Sequence, residues 1–477
     1  MDRSNFEISD SIAHIWTENL TLPKSALDAV ETPEDSGHCP SSFKVEHLAR
    51  TTITLSALSA ALFWSVRHAS PVPRVRVAAE HACAEFKSER LYTLNGKAAP
   101  STFGTIGGLH KTADGYARMH DGFPNHRENA LKILGLGKDA SRLAVGSKML
   151  DWKSTELEAE AFRQGAVVLA LRSFEEWEKL PQAKAVTDLP ILLTRVGQSS
   201  PYSPPAPVGM VDNKCLRGIR VLEMSRVIAA PVAGKTLAAH GADVIWVTSP
   251  TLPDQPELDI DMSRGKRTVR LDIKQPEDKA QLLDLVQTAD VFIQSYRPGS
   301  LTTRGLSTQE LIQANPHLII ANLDAWGPDG PWSQNRGFDS LVQTCSGLNV
   351  EDAKRYGANE PARVLPCQAL DHGSGYLLAT GVNAALYKRA TEGGAYEVRV
   401  SLAGVMKHLR SLGQYQGKSG FNRKDFKGPE DAETYLETRS TGFGELRAIR
   451  HSVSIEGVEV GWEEMPKPLG SDQPVWL

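Results

Sequence analysis

Short apolar runs and amphipathic segments alternate along residues 219–322, and this alternation constrains the fold more than any other feature of the chain. Five runs have the length and composition of β-strands: 219–223, 243–247, 268–271, 290–293 and 318–322. Helix signals separate them, namely Gly241 after a helix at 230–239, Pro276 before a helix to about 288, and the Ser307/Glu310 capping box. Strands that alternate with helices predict βαβ units and a mostly parallel, Rossmann-like doubly wound sheet of the α/β class.

The first turn between strand and helix in this region reads SRVIAAP at 225–231. It lacks the G-x-G-x-x-G pattern that brings a dinucleotide pyrophosphate close to the backbone. Ligands of doubly wound sheets bind beyond the carboxyl ends of the strands. We therefore expect a ligand at that edge, but not a dinucleotide bound in the usual way.

The chain divides into four regions. Residues 1–200 carry mixed helix and strand signals and predict a smaller α+β domain. Residues 201–214 form a linker rich in proline and serine, and such composition is typical of extended connectors. Residues 215–410 form the Rossmann-like domain, and 411–477 form a C-terminal tail.

Composition excludes several classes of protein. The 477 residues carry 53 Lys and Arg against 57 Asp and Glu, and this balance gives no reason to expect nucleic acid. The five cysteines are scattered, so free thiols in a reducing compartment are expected rather than a disulfide framework. The N-terminus has no apolar signal segment, and residues 51–66 predict a buried helix rather than a membrane span. We expect a cytoplasmic protein, with mitochondria left open, and neither secretion nor a membrane partner.

Metal binding is not expected. Two histidines lie at 120 and 126, but their spacing fits no metal signature, and surface or core histidines explain them better.

A basic cluster at 263–274, SRGKRTVRLDIK, offers two interpretations. It contains Arg264, Lys266, Arg267, Arg270 and Lys274. The cluster is either a solvated turn before a strand or a clamp for phosphate groups, which Arg and Lys bind through charge-assisted hydrogen bonds. The motif SYRPG at 295–299 follows a strand end and could hold a nucleotide-bearing ligand in the same place.

Asp371 in LPCQALDHGSG, at 365–375, is the candidate catalytic residue. A carboxylate at a helix N-terminus is commonly a cap. The alternative is a nucleophile, because a carboxylate can form a covalent acyl intermediate and so divide one acyl transfer into two easier steps. A helix N-terminus would also stabilise negative charge that develops there.

The order and spacing of motifs over about 190 residues resemble family III CoA-transferases (CaiB/BaiF-like), the group of formyl-CoA transferases, carnitine CoA-transferases and α-methylacyl-CoA racemases. The matching runs are LRGIRVLEMSRVIAAP (216–231), HGADVIWV (240–247), RGKRTVRLDIKQPE (264–277), ADVFIQSYRPGSL (289–301), NPHLIIANLDAWGPDGPW (315–332), RGFDSLVQTCSGL (336–348), ALDHGSGYLLATGVNAALYKR (369–389) and YEVRVSLAGV (396–405).

The resemblance implies a CoA-transferase that moves CoA from an acyl-CoA thioester to a carboxylic acid. Asp371 would carry an aspartyl anhydride and then an aspartyl-CoA thioester. Coenzyme A would enter as the acyl-CoA substrate, and no tightly bound cofactor is expected. The residues expected to contact CoA are Val227, Ile228, Ala229, Arg264, Lys266, Arg267, Lys274, Ser295, Tyr296 and Arg304. Family subunits form interlocked dimers, so a homodimer is expected.

Two alternatives stay open on the same residues. Racemases of this family place a histidine in a GHD motif as a second acid/base group, but this chain has Gly337-Phe338-Asp339 there. A non-catalytic CoA-binding homologue is the other alternative, because Thr248-Ser249 and Asp324 replace cations that family members use.

An internal repeat accompanies the resemblance. Residues 382–405 resemble 58–83 with an offset of 324, which places His47 at the position of Asp371. We therefore expect a rearranged or partly duplicated architecture, in which residues 1–200 resemble the small-domain and tail parts of a family III subunit and carry no second nucleophile.

Overall fold

The computed structural model describes residues 1–33, 35, 37–101, 104–204, 211–357 and 359–477. Part of the expected linker, 205–210, lies outside the described residues. Sixteen α-helices occur in the described residues: α1 Ile8–Ala13, α2 Val45–His68, α3 Ala79–Glu85, α4 Pro124–Ile133, α5 Arg142–Met149, α6 Ser154–Gln164, α7 Phe174–Glu178, α8 Pro181–Ala185, α9 Ala229–Ala239, α10 Pro256–Met262, α11 Pro276–Thr288, α12 Thr308–Ala314, α13 Asp339–Cys345, α14 Leu348–Tyr356, α15 Ala369–Glu392 and α16 Leu402–Ser411.

Seventeen strands accompany these helices in the same described ranges: β1 Val30–Glu31, β2 Val75–Val77, β3 Thr93–Leu94, β4 Lys97–Ala98, β5 Gly108–Lys111, β6 Tyr116–Met119, β7 Val168–Ala170, β8 Leu192–Gly197, β9 Arg220–Met224, β10 Asp243–Thr248, β11 Lys266–Arg270, β12 Val291–Gln294, β13 Ile319–Asp324, β14 Ala395–Ser401, β15 Leu436–Thr441, β16 Gly444–Ile449 and β17 Val453–Ile455. Short 3₁₀ or π segments lie at His14–Asn19, Lys24–Ala29, Thr302–Arg304, Ser419–Asn422 and Pro429–Tyr435.

A seven-stranded sheet is the centre of the fold. Its order is β11-β10-β9-β12-β13-β14-β8, and all neighbours are parallel except β14 and β8. The first six strands follow the 3-2-1-4-5-6 order of doubly wound folds. The predicted α/β class and Rossmann-like sheet are therefore confirmed, and the five predicted strands match β9 to β13 within two residues at each end.

Apolar side chains cover both faces of this sheet, as parallel strands require. On one face Leu222, Ile245 and Phe292 pack with α11 and α12 residues such as Leu282 and Leu311. On the other face Val221, Ile293 and Ala321 belong to the large core that also contains α9, α15 and α2. The sheet is thus buried between two layers of helices.

A three-stranded antiparallel sheet, β5-β6-β7, packs with α4, α5 and α6 around its own small core. Strand β6 and helix α4 lie in the region of mixed helix and strand signals, residues 1–200. The first 200 residues do not stand apart, however, because β8 extends the large sheet through antiparallel pairing with β14. Sequence periodicity does not report such pairing between distant segments.

Helices α2 and α15 are both 24 residues long, and they pack against each other. Position 369 follows position 45 by 324 residues, and 392 follows 68 by the same number, so the two helices begin and end at the repeat offset. Nearly every residue of α2 from Val45 to Ser65 is buried. The predicted buried helix at 51–66 is confirmed, and no helix in the described part of the chain is both long and apolar enough to cross a membrane.

Candidate functional site

A cavity of about 610 Å³ lies beyond the carboxyl ends of the parallel strands. Met224 ends β9, Ser295 follows β12, and Asp324 ends β13; all three line the cavity. Strands β9 and β12 are the neighbours at which the strand order changes direction. This is the position at which doubly wound sheets bind their ligands.

Asp371 contributes a carboxyl group to this cavity from the first turn of α15. It is the third residue of the helix, so its carboxyl group lies near the positive end of the helix dipole. The residue itself does not cap the helix: the carboxylate of Asp339 accepts hydrogen bonds from the backbone N–H groups of Leu370 at 2.7 Å and Asp371 at 3.0 Å. The cap and the candidate nucleophile are therefore different acids.

Buried acids surround Asp371. Burial raises its pKa well above the ordinary range, and the charges of Asp339 and Glu89 raise it further. The pKa of Asp339 is also raised, to about 6, mainly by burial. Asp371 therefore stays protonated to a higher pH than an exposed aspartate does.

His372 points away from the cavity. Its Nε2 lies 3.0 Å from Oε2 of Glu89, a residue of the first 200, and its ring stacks on Phe86 at 5.4 Å. Burial raises the pKa of Glu89, but the hydrogen bond and the charge of His372 outweigh it and leave that pKa at about 2. The side chains of Asp371 and His372 thus point in different directions.

The structure places eight predicted site residues at this cavity: Val227, Ile228, Ala229, Lys274, Ser295, Tyr296, Arg304 and Asp371. Val227 has a φ of 73°, in the left-handed region that a β-branched residue rarely adopts. Backbone strain of this kind concentrates where a loop is shaped for a ligand. Gly375 of α15 allows the turn and α9 to approach, because a Cβ there would lie 2.5 Å from the carbonyl oxygen of Ala229.

Three other predicted cations do not line the cavity. Arg264 is paired with Asp261 and Glu437, Lys266 with Glu223, and Arg267 with Asp243. The Lys266 and Glu223 side chains are fully buried. Their charges are neutralised within the protein, so of the basic cluster at 263–274 only Lys274 faces the cavity.

Cations without a protein partner do surround the cavity. Lys274, Arg297, Arg304 and Arg336 line it, and none of them forms an ion pair with another residue in the described ranges. Such cations suit a ligand that carries phosphate or carboxylate groups. Asp324 also lines the cavity, but it accepts the backbone N–H of Trp326 at 3.1 Å and so stabilises its own turn.

Sequence reasoning missed an aromatic wall that the first 200 residues supply. Phe123 and His126 line the cavity, and His120 stacks on Phe338 with ring centroids 4.0 Å apart. Burial lowers the pKa of His120 to about 4 and, with nearby cations, that of His126 to about 3, so both rings are neutral. The Nδ1 atom of His126 is buried without a hydrogen-bond partner in the described structure. The two histidines were visible in the sequence, but nothing there indicated that they meet Phe338.

The sequence model of CoA-transferase family III matches residues 216–434. A curated relative, the acyl-CoA transferase of Gibberella moniliformis, is 28% identical over 314 residues, which cover 62% of this chain and 54% of the relative. The probable fatty acyl-CoA transferase Rv3272 of Mycobacterium tuberculosis is 33% identical over 48% of this chain and 61% of that protein. Formyl-CoA:oxalate CoA-transferase of Rhodopseudomonas palustris is 32% identical over 40% of this chain and 46% of that enzyme.

Solved structures give a similar partial match. The crystal structure of Rv3272 from Mycobacterium tuberculosis is 33% identical, with 42% of this chain and 58% of that chain covered and a TM-score of 0.38. The chain thus spans about half the length of the curated relatives that it matches. The match to CoA-transferase family III covers residues 216–434, the part of the chain that carries the predicted motifs and six of the seven strands of the large sheet.

Proposed function

We propose that the protein transfers CoA from an acyl-CoA thioester to a carboxylic acid, with Asp371 as the nucleophile. One observation carries the proposal: the Asp371 carboxyl group lines the cavity at the carboxyl edge of the sheet, beside cations that have no acidic partner among the described residues. This combination suits a substrate with a reactive carbonyl and several negative charges, as acyl-CoA has. The names of the family and of the relatives support the same class of reaction.

Asp371 acts in its ionised form. One carboxylate oxygen attacks the thioester carbonyl; a C–O bond forms, the C–S bond breaks, and CoA leaves as a thiolate. The thiolate then attacks the aspartyl carbonyl of the anhydride, so that aspartyl-CoA forms and the donor acid leaves as its carboxylate. Both steps conserve charge, and no proton is consumed.

The acceptor reverses these steps. Its carboxylate attacks the aspartyl-CoA carbonyl, the thiolate leaves again, and a second anhydride forms. The thiolate attacks the acceptor carbonyl, which gives the new acyl-CoA and regenerates the Asp371 carboxylate. Negative charge on the aspartyl carbonyl oxygen develops near the first turn of α15, where the helix dipole favours it.

The remaining cavity residues bind and orient the substrate. Val227, Ile228, Ala229, Ser295 and Tyr296 would contact CoA from the loops after β9 and β12, while Lys274 and Arg304 would pair with its phosphates. Arg264, Lys266 and Arg267 have no role at the substrate in this proposal, since their charges are paired elsewhere.

The cavity favours transfer over racemisation. A racemase needs a second base opposite the aspartate, and Phe338 stands where that histidine is expected. The nearby rings of His120 and His126 have pKa values of about 4 and about 3, which make them weak bases for a proton on carbon. Asp371 therefore has no matched basic partner at this cavity among the described residues.

An isotope experiment tests the mechanism. The enzyme is incubated with acyl-CoA donors of several chain lengths and an acceptor acid labelled with ¹⁸O in its carboxyl group, and the peptide that contains Asp371 is analysed by mass spectrometry. Each turnover leaves one acceptor oxygen on Asp371, so the label should appear there and nowhere else. Hydroxylamine should also convert Asp371 to its hydroxamate when an acyl-CoA is present.

Other outcomes decide between the alternatives. Exchange of the α-proton of the acyl group without label on Asp371 would support a racemase. CoA binding without label, hydroxamate or exchange would support a non-catalytic homologue. Asp371→Ala is the matched control, because it should bind CoA but acquire no label.

A further inference from the structure

The two halves of the chain contact each other reciprocally. Strand β8, at the end of the first half, pairs antiparallel with β14 of the second half. Strand β17, near the end of the second half, pairs antiparallel with β2 of the first half. Each half thus places its closing strand on the sheet of the other half.

The sheets that receive these strands have the same local plan. In the second half β14 follows the long helix α15 and lies between parallel β13 and antiparallel β8. In the first half β2 follows the long helix α2 and lies between parallel β1 and antiparallel β17. A short helix begins directly after each central strand, α16 at Leu402 and α3 at Ala79.

The two long helices meet at equivalent positions. Nδ2 of Asn383 lies 3.2 Å from Oγ of Ser59 and 3.2 Å from the carbonyl oxygen of Ser56. The offset of 324 makes Asn383 and Ser59 equivalent, so the contact falls on the same position of both helices. In a two-fold homodimer a residue on the axis meets its own copy in this way, and every other contact occurs twice with the partners exchanged.

We infer that one chain folds as a two-fold dimer would, with both partners on the same polypeptide, and that it forms its one site without a second copy. Helix α2 packs along α15 within the same chain. This replaces the homodimer expected from the resemblance.

The two halves contribute unequally to the site. Asp371 and the sheet edge come from the second half, while Phe123 and His126 of the cavity wall and Glu89 behind His372 come from the first half. At the position equivalent to Asp371 the first half has His47, whose Nε2 lies 2.7 Å from Oγ of Ser11 in a buried contact. The second position therefore has no carboxylate to act as a nucleophile.

Two measurements on the full chain test this inference without any assay of CoA transfer. Light scattering should give the mass of one chain, 52.0 kDa, over a broad range of protein concentration. A stable species of twice that mass would overturn the inference.

A pair of introduced cysteines tests whether β2 pairs with β17 of the same chain or of another copy. Arg76 and Ser454 are exposed and lie opposite each other in the β2–β17 pair, at a separation that a disulfide can bridge. In the Arg76→Cys/Ser454→Cys variant, oxidation should give a product that migrates as a single chain without reductant. A covalent two-chain product would show that β17 comes from another copy. The single variants are the controls, and the five native cysteines are buried.

These results are independent of the proposed chemistry. A monomer with an internal disulfide but no label on Asp371 would uphold the inference and reject the proposed function. Label on Asp371 together with a disulfide between two chains would support the proposed function and reject the inference.

Discussion

The carboxylate of Asp339 accepts the backbone N–H of Asp371 at 3.0 Å, so one buried acid fixes the turn that carries the other. The same carboxylate accepts the N–H of Leu370, and a cap of this kind stabilises the start of α15. Its charge also raises the pKa of Asp371. Asp339 therefore orders the turn of Asp371 and opposes the ionisation of Asp371.

The rate of Asp371 labelling should rise with pH, because the ionised carboxylate attacks and its pKa is raised. Asp339→Asn removes one of the charges that raise this pKa, so the rising limb should move to lower pH. The variant should also lose about 1–3 kcal/mol of stability, since an amide presents only one acceptor to the donors that the carboxylate satisfies. Rapid-quench labelling between pH 5 and 9 measures how the labelling rate rises with pH. A rise at the same pH as in the unaltered protein, or at higher pH, would contradict this role of Asp339.

Asp371→Asn should abolish transfer and raise thermal stability near pH 8. The folded-state pKa of Asp371 lies above its unfolded value of about 3.9, so ionisation costs stability as the pH rises above that value. The neutral amide avoids this cost, and the melting temperature should rise by roughly a few °C. Calorimetry at pH 8 and at pH 4 checks the sign, because the difference should shrink at the lower pH. An equal rise in melting temperature at both pH values would indicate that better packing, not ionisation, causes the stabilisation.

Lys274→Ala should weaken acyl-CoA binding with little effect on folding, because Lys274 lines the cavity and has no acidic partner in the described structure. Lys266→Ala should do the reverse. It leaves the carboxylate of Glu223 buried and unpaired, and breaking a buried pair costs about 3–5 kcal/mol. Isothermal titration with CoA and denaturant unfolding separate the two effects. Equal loss of CoA affinity in both variants, at full folding, would place the basic cluster at the ligand after all.

Gly375→Ala should disturb the site through packing. A Cβ there would lie 2.5 Å from the carbonyl oxygen of Ala229 and 2.6 Å from Cβ of Val232, so α9 must shift at a cost of about 1–3 kcal/mol. CoA affinity should fall as well, since the displaced turn carries Val227 and Ile228. Gly373→Ala in the same helix is the matched control, because its Cβ would meet only side-chain atoms at 3.2 Å or more. Equal losses in the free energy of unfolding for the two variants would contradict the prediction.

His126→Ala should raise the KM for the substrate more than it lowers kcat. The imidazole lines the cavity, and its pKa of about 3 keeps it neutral near pH 7, so it suits contact with the substrate rather than proton transfer. His126→Asn, which keeps a donor and an acceptor, should recover part of the affinity. A loss confined to kcat, with a changed pH profile, would instead assign His126 to acid/base chemistry.

Local sequence predicted the central sheet well for a physical reason. In parallel strands buried on both faces, each run must be apolar throughout, and each helix must start and stop at residues that satisfy its end groups. The Ser307/Glu310 capping box is formed, as that pattern predicts. The position of Asp371 at the start of a helix followed from the same local signals.

Charge partners did not follow from local signals. The sequence alone does not distinguish Lys274 from Arg264, Lys266 and Arg267 as candidate phosphate ligands. Lys274 lies four residues beyond the end of β11. Lys266 lies in β11 with its side chain toward Glu223 on β9, whereas Lys274 lies past the strand end at the cavity. Residues close together along the chain were thus separated by the fold, and residues more than a hundred positions apart, such as His120 and Phe338, were brought together.

The sequence by itself determined the alternating strands and helices, the family motifs, Asp371 as the candidate nucleophile and the repeat that places His47 opposite it. These depend on short-range patterning and on residue identity. Only the tertiary structure decided that Asp339 caps the turn of Asp371, that Glu89 and His126 of the first half border the site, and that each half completes the sheet of the other. Such contacts join residues that are not neighbours in the sequence, 32 positions apart for Asp339 and Asp371 and 283 for Glu89 and His372. Burial of the shared core, rather than any local pattern, sets which segments meet.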